Sequence, residues 1–66
     1  MKIKVGDIVT IKNRKYLSNE YPKWIKESVE NKIQLKVIKP IPMKGLLVRS
    51  SLGDKYIFNR TDLRVV

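Results

Sequence analysis

The chain has no cysteine and no histidine, and its 66 residues include only one tryptophan, one phenylalanine and three tyrosines. Without cysteine it can form neither a disulfide nor a thiolate zinc site. Without histidine it lacks the most common general base and the most common metal ligand. We therefore expect a protein that is not an enzyme and that uses no metal and no cofactor.

Long hydrophobic runs are also missing from the sequence. No apolar run approaches the ~20 residues that a membrane-spanning helix needs, and residues 1–7, MKIKVGD, lack the continuous apolar stretch of a secretory signal. We expect a cytoplasmic protein. The length suits a single domain over residues 1–66. A hydrophobic content of 42% is too high for a disordered basic tail.

Acidic residues are scarce: Asp and Glu number 6 against 15 Lys and Arg, and the net charge is +9. So dense a positive charge favours a polyanionic partner such as nucleic acid, an anionic membrane surface or an acidic protein. The excess of Lys over Arg, 11 to 4, together with eight Ile and four Asn, is also typical of a genome rich in A and T. The charge by itself does not decide between a polyanionic partner and a genome rich in A and T as the origin of the lysine excess.

Two segments of the first half carry structural signals. Residues 5–12, VGDIVTIK, begin with a Gly-Asp turn and continue as a β-branched run. This pattern predicts a strand with Val9 and Ile11 facing the core. Residues 13–31 form a long connection, in which residues 22–30 have the pattern of a short helix.

The helical pattern is a stripe of apolar side chains. Tyr21, Ile25 and Val29 recur at a spacing of four, with Trp24 and Ser28 beside them. A helix of this length is marginal on its own. We therefore expect it to pack on the sheet, with Trp24 substantially buried.

The clearest strand pattern covers residues 32–39, in which apolar and polar side chains alternate. Ile33 and the apolar residues at the next two alternate positions are expected to face the core, and the lysines to face outward. Pro40 and Pro42 are expected to end this strand, because proline cannot donate a hydrogen bond to a ladder.

The rest of the sequence predicts a hairpin, a helical turn and a last strand. Tyr56 and Phe58 share the inward face of the second hairpin strand, and Asn59 is placed to cap the helical turn. The segments are a strand over 46–50, a tight turn over 51–54, a strand over 55–58, a helical turn over 59–63 and a strand over 63–66.

This order of elements, with the segments GDIVTIK, LLVRSSLGDKYIF and NRTDLRVV, resembles the SH3-like small-barrel superfamily. That superfamily includes integrase C-terminal domains, KOW-type ribosomal and transcription modules and small phage-encoded barrels. The resemblance covers nearly the whole chain and implies a mainly β fold. The expected fold is a single SH3-like five-stranded antiparallel barrel, with a short helix in the long first loop and one helical turn before the last strand. A topological resemblance speaks to fold far more than to function.

The sequence departs at two points from the motifs of this superfamily, and each departure limits the functions that the resemblance implies. Residues 13–16, NRKY, do not supply the Gly-x-x-Gly turn that the KOW motif needs after its first strand. The long first loop is basic, whereas the peptide groove of SH3 domains resembles an aromatic strip beside an acidic loop. We therefore do not expect binding of Arg-bearing proline ligands.

The cations are the informative feature for binding. Outward positions of neighbouring antiparallel strands line up, so their lysines and arginines would form one stripe, which a phosphate backbone rewards through counterion release. The alternative is a solvated surface with scattered charges. The candidate nucleic-acid-binding residues are Lys12, Arg14, Lys15, Lys36, Arg49 and Lys55.

The remaining candidates are an aromatic residue and the aspartates. Tyr16 is a candidate for stacking on unpaired bases, and packing under the loop as part of the core is its alternative. Asp7, Asp54 and Asp62 fall in turns or caps, where local hydrogen bonding accounts for them. No acidic residues have the spacing of a metal-binding loop.

From these features we expect a monomer or weak homodimer that acts as a non-catalytic nucleic-acid-binding module. It would hold DNA or RNA mainly by phosphate contacts. The alternative is a small interaction or regulatory protein of a phage or mobile element that docks on an acidic host protein. Unpaired strand edges and Leu47 or Leu52 would serve that role.

Overall fold

The computed structural model, which describes residues 3–66, contains one five-stranded antiparallel sheet, one α-helix and two 3-10 turns. Residues 1 and 2, part of the N-terminal segment considered above, lie outside the described residues. The elements are β1 (Ile8–Ile11), the first 3-10 turn (Arg14–Leu17), α1 (Lys23–Glu30), β2 (Leu35–Ile41), β3 (Gly45–Arg49), β4 (Lys55–Phe58), the second 3-10 turn (Arg60–Asp62) and β5 (Leu63–Val65).

The strand order in the sheet is β4-β3-β2-β1-β5, so the first strand pairs with both the second and the last. The expected mainly β fold, with five antiparallel strands, a helix in the long first loop and a helical turn before the last strand, is confirmed. In the described residues β4 and β5 are the two edges of the sheet, which is therefore not closed by pairing. Phe58 of β4 and Leu63 of β5 nevertheless enter one core cluster. The two edge strands thus contribute to the same core, and the opposite side of the sheet is its outer face.

Alternation along the strands decides which side chains form the core. Val9 and Ile11 of β1 are buried, as expected, and so is Phe58 of β4. Tyr56, on the same face as Phe58, is half-buried and packs against the cluster. The cap at Asn59 is also confirmed, since its side chain accepts a hydrogen bond from the backbone N–H of Thr61 at 3.2 Å.

The bounds predicted for β2 are wrong at both ends. The strand begins at Leu35, and Ile33 lies before it with 37% of its surface exposed, so Ile33 is not a core residue. At the other end the strand passes through Pro40, which pairs with Leu46 of β3. Pro40 is tolerated because the pairing with β1 ends near Lys36, so that a missing N–H there breaks no ladder on that side.

Helix α1 is held by its packing face. Ile25 is fully buried and Ser28 nearly so, and Trp24 is partly buried and packs against the core cluster. The helix has eight residues, and none of the helices among the described residues is long and apolar enough to cross a membrane. The packing of α1 on the core places the C-terminal end of this helix beside β1.

Candidate functional site

Three outward-facing cations lie directly opposite one another on β2, β3 and β4. Lys36 pairs with Arg49, and Arg49 pairs with Lys55. All three are exposed, and their neighbours along each strand include the buried residues Val37 and Val48. Directly opposed Cβ atoms of antiparallel strands lie about 4.5–5.5 Å apart, where like charges are destabilising. We call Lys36, Arg49 and Lys55 the basic row.

No ion pair in the described part of the chain neutralises the basic row. The one salt bridge found there joins Lys15 to Asp62, which lie elsewhere. The next outward positions of β3 and β4 carry apolar side chains, since Leu47 pairs with Ile57, which is 38% exposed. On β2 the residue that pairs with Leu47 is Lys39, a further exposed cation. The outer face of the sheet therefore combines a line of unpaired positive charge with an adjoining apolar strip.

A second group of cations surrounds a groove of about 240 Å³ between β1, β5 and the C-terminal end of α1. Four cations and Thr10 line this groove. The described residues that form its walls include no carboxylate. We call this site the basic groove, and its cations are Lys12, Arg14, Lys32 and Arg64.

Part of the basic groove, formed by Thr10, Lys12 and Arg64, lies on the same face of the sheet as the basic row. Ile8, Thr10 and Lys12 occupy alternate positions of β1 and its extension, so they share the outward face. Ile8 pairs with Lys36 of the row, and Thr10 pairs with Arg64 of the groove. A continuous surface therefore leads from the row on β2–β4 across β1 to the groove at β5.

A buried hydrogen-bond network fastens the long first loop to the segment before β5. Asp62 is 5% exposed and accepts hydrogen bonds from the Tyr16 hydroxyl at 2.7 Å and from Asn13 Nδ2 at 2.8 Å. The Lys15 ammonium lies 3.4 Å from the Asp62 carboxylate and 5.1 Å from the centre of the Tyr16 ring. Asp62 is thus more than the turn residue that the sequence suggested, and Lys15 serves this network.

The network shifts the pKa values of its two acidic groups in opposite directions. Burial is the main cause that raises the pKa of Tyr16, and the hydrogen bond to Asp62 raises it further. Burial also acts to raise the pKa of Asp62, but hydrogen bonds from Tyr16 and Asn13 and the charge of Lys15 outweigh it and lower that pKa below its ordinary value. Asp62 is therefore ionised in the folded protein at neutral pH, and Tyr16 is neutral.

Tyr16 lies in the core, which was the alternative that the sequence left open for it. It is 4% exposed, and its ring packs against the rings of Tyr21 at 4.7 Å and Phe58 at 5.1 Å between centroids. A base cannot stack on a ring covered in this way. We therefore leave Tyr16 out of the candidate interface.

The structure divides the six predicted cations into three groups. Lys36, Arg49 and Lys55 form the basic row, Lys12 and Arg14 belong to the basic groove, and Lys15 stands apart beside Asp62.

Sequence reasoning left Lys32 and Arg64 out of the candidate set, although both line the basic groove. The outward position of Arg64 could have been found from the alternation in the last strand. Its place near the end of α1 carries no local signal, because it depends on the pairing of β5 with β1.

Among the described residues no three carboxylates are grouped closely enough to hold a metal ion. Comparison with protein-family models, with curated proteins and with solved structures gives no match. The charged outer face is therefore the feature from which function is inferred.

Proposed function

We propose that this chain is a non-catalytic nucleic-acid-binding module that holds a phosphate backbone on the outer face of its sheet. The observation that carries the proposal is the basic row, in which Lys36, Arg49 and Lys55 oppose one another across three strands. Phosphate contacts from Lys and Arg release condensed counterions and give affinity with little dependence on sequence. A cytoplasmic location is part of the proposal, because the partner that it names is found there.

The cost of the basic row supports a role in binding. Like charges placed directly opposite one another destabilise a sheet by some tenths of a kcal/mol per pair, and the row has two such pairs. A chain that needed only solubility could scatter its lysines. A bound phosphate backbone removes the repulsion, because each phosphate carries the opposite charge.

We further propose that the fold is an SH3-like small barrel, and that the chain is related to the integrase C-terminal, KOW-type or small phage-encoded modules. Support comes from the strand order, in which β1 pairs with both β2 and β5, and from the 3-10 turn Arg60–Asp62 before the last strand. The bulge in β2 between Val37 and Lys39 lets one strand bend between two parts of a curled sheet.

The test compares two charge reversals that change the net charge equally. Lys36→Glu breaks the centre of the outer face, whereas Lys23→Glu is the matched control, because Lys23 lines a separate groove together with Glu27 and Glu30. Fluorescence anisotropy with duplex and single-stranded oligonucleotides at several salt concentrations gives the slope of log K against log salt. We expect the slope of the parent to reach about −0.9 per neutralised phosphate on duplex DNA. Lys36→Glu should reduce its magnitude by about one, and Lys23→Glu should leave it unchanged.

An equal effect of the two reversals would show that net charge alone, not the row, drives association, and would contradict the proposal. Absence of affinity in the parent at low salt would contradict it as well. The second candidate function would then stand first: a small phage or mobile-element protein that docks on an acidic host protein. The apolar strip of Leu47 and Ile57 beside the row favours that candidate, since protein interfaces combine an apolar centre with a charged rim.

A further inference from the structure

We infer that the basic groove is a phosphate-binding site of its own, separate from the basic row. Its four cations come from three different parts of the chain, yet they line a single groove of about 240 Å³. The described residues that line the groove include no carboxylate to balance their repulsion. The inference rests on the proposed function in one respect, because we take the phosphate to belong to a bound nucleic-acid strand.

The backbone at Lys32 bears on why a lysine stands at this edge of the groove. Lys32 has φ +50, in the left-handed region that favours glycine. It follows the helix cap at Asn31, and its N–H donates to Val29 O at 3.4 Å while the N–H of Ile33 donates to Ser28 O at 3.0 Å. These two hydrogen bonds define a Schellman motif, whose left-handed residue is usually glycine.

A lysine at this position therefore costs the fold something that glycine would not. A positive charge near a helix C-terminus is favourable by a small amount, because it faces the negative end of the helix dipole. That benefit does not account for Arg64, which lines the same groove from β5. It does not account for Lys12 and Arg14 either, which line the groove from the segment after β1. A shared anion accounts for all four.

Phosphate fits the donors that the groove presents. Arg14 and Arg64 have planar guanidinium groups that can each bind two phosphate oxygens, and the ammonium groups of Lys12 and Lys32 add point charges. Thr10, opposite Arg64 in the ladder, adds a hydroxyl donor at the edge. Because Thr10 and Ile8 share the outer face of β1, a strand held on the basic row can continue across β1 into the groove.

The first experiment uses inorganic phosphate as the probe, titrated into the isotope-labelled protein with chloride at matched ionic strength as the reference. We expect amide shifts for residues 10–14 and 32 that chloride does not produce. Arg64→Gln should weaken phosphate binding by about threefold or more, whereas Lys44→Gln, in the β2–β3 turn, should not change it. Groove shifts that are the same with chloride would overturn the inference.

Lys32→Gly provides the sharper variant, because it removes the charge without harming the helix end. Glycine relieves the left-handed backbone, so the melting temperature should be unchanged or higher while phosphate affinity falls about threefold or more. If Lys32 binds no anion, the variant will keep its phosphate affinity at the same stability. That result would overturn the inference.

Measuring oligonucleotide binding to the parent and to Arg64→Gln distinguishes a failure of this inference from a failure of the proposed function. If phosphate shifts the groove amides but no oligonucleotide binds the parent, the nucleic-acid proposal fails and the groove stands as a site for a small phosphate compound. If oligonucleotides bind and Arg64→Gln lowers their affinity, both stand. If oligonucleotides bind equally to the parent and to Arg64→Gln, the groove takes no part in nucleic-acid binding and this assignment of its phosphate is overturned.

Discussion

Asp62 shows how a single side chain joins two distant parts of this chain. It receives hydrogen bonds from Tyr16 and Asn13 in the first loop, 46 and 49 residues away. Its pKa is lowered in the folded state, because these bonds and Lys15 outweigh the effect of burial, which alone would raise it. A proton therefore binds the unfolded chain more readily. The contribution of Asp62 to stability is present above the ordinary aspartate pKa of about 4 and is lost as the pH falls through the lowered value.

Asp62→Asn tests this account by removing the charge and keeping the shape. We expect a loss of about 1.5–3 kcal/mol in the free energy of unfolding at neutral pH, because hydrogen bonds to a charged acceptor are replaced by weaker ones. The variant should also lose less stability than the parent between about pH 6 and about pH 3. Urea unfolding at both pH values measures this difference. Asp54→Asn, in the β3–β4 turn, is the matched control; an equal effect from it would contradict the prediction.

Gly45 at the start of β3 is the glycine with the tightest surroundings. Its φ is +135, and a Cβ atom there would collide with the carbonyl of Phe58 in the paired strand β4. Gly45→Ala should therefore cost more than about 2 kcal/mol. Gly53→Ala, at φ +95 with open space around it, should cost only about 1 kcal/mol. Thermal melts of the two variants give the comparison, and similar losses would show that β3 and β4 can move apart at this point.

At the scale of elements, the sequence predicted what local alternation controls. Strand β4 has the predicted bounds, and the inward residues of β1 are buried as predicted. The start of β2 was missed because residues 31–34 complete the Schellman motif before the chain extends, so Ile33 has left the core pattern. The far end of β2 was missed because a proline breaks a ladder only where its strand has a second paired neighbour. At Pro40 that neighbour is absent, since β1 is short and its pairing with β2 ends near Lys36.

Ile25 is the residue on which the attachment of α1 depends. The helix has eight residues, too few to be stable alone, and Ile25 is its one fully buried hydrophobic side chain in the structure described. Ile25→Ala should cost about 2–5 kcal/mol, a large share of the stability of so small a domain. Trp24 fluorescence during urea unfolding provides the measurement. Glu27→Ala, on the exposed side of the same helix, is the control and should cost less than about 0.5 kcal/mol.

At the scale of the whole molecule, five of the seven cations of the candidate site were predicted from the sequence. The outward positions of Lys36, Arg49 and Lys55 follow from alternation within each strand, but their alignment into one row is a property of register. The basic groove was less accessible to prediction. Lys32 and Arg64 meet only because β5 returns to pair with β1 beside the end of α1, and no local pattern contains that information.

The charge of the whole molecule has two effects that salt should separate. With a net charge of +9, the folded chain repels itself, and salt screens that repulsion. The melting temperature of the free protein should therefore rise between about 20 mM and about 200 mM NaCl. The additional stabilisation by an oligonucleotide should fall over the same range, because counterion release weakens as salt increases. At a ligand concentration of about 100 times Kd that stabilisation is about 2.7 kcal/mol, equivalent to roughly 10–20 °C for a domain of this size.

Lys36→Glu and Lys23→Glu separate the effect of total charge from the effect of the basic row, since each lowers the net charge of +9 by two units. Both should reduce the salt dependence of the free protein, because self-repulsion depends on total charge, and Lys36→Glu should reduce it more, because it also removes the like-charge pair with Arg49. Only Lys36→Glu should also lose much of the stabilisation by an oligonucleotide at low salt, since Lys36 lies in the basic row and Lys23 lies beside Glu27. Circular dichroism melts with and without the oligonucleotide measure both quantities. If the two variants lose ligand stabilisation equally, the partner responds to total charge, and the arrangement of cations on the sheet has no part in recognition.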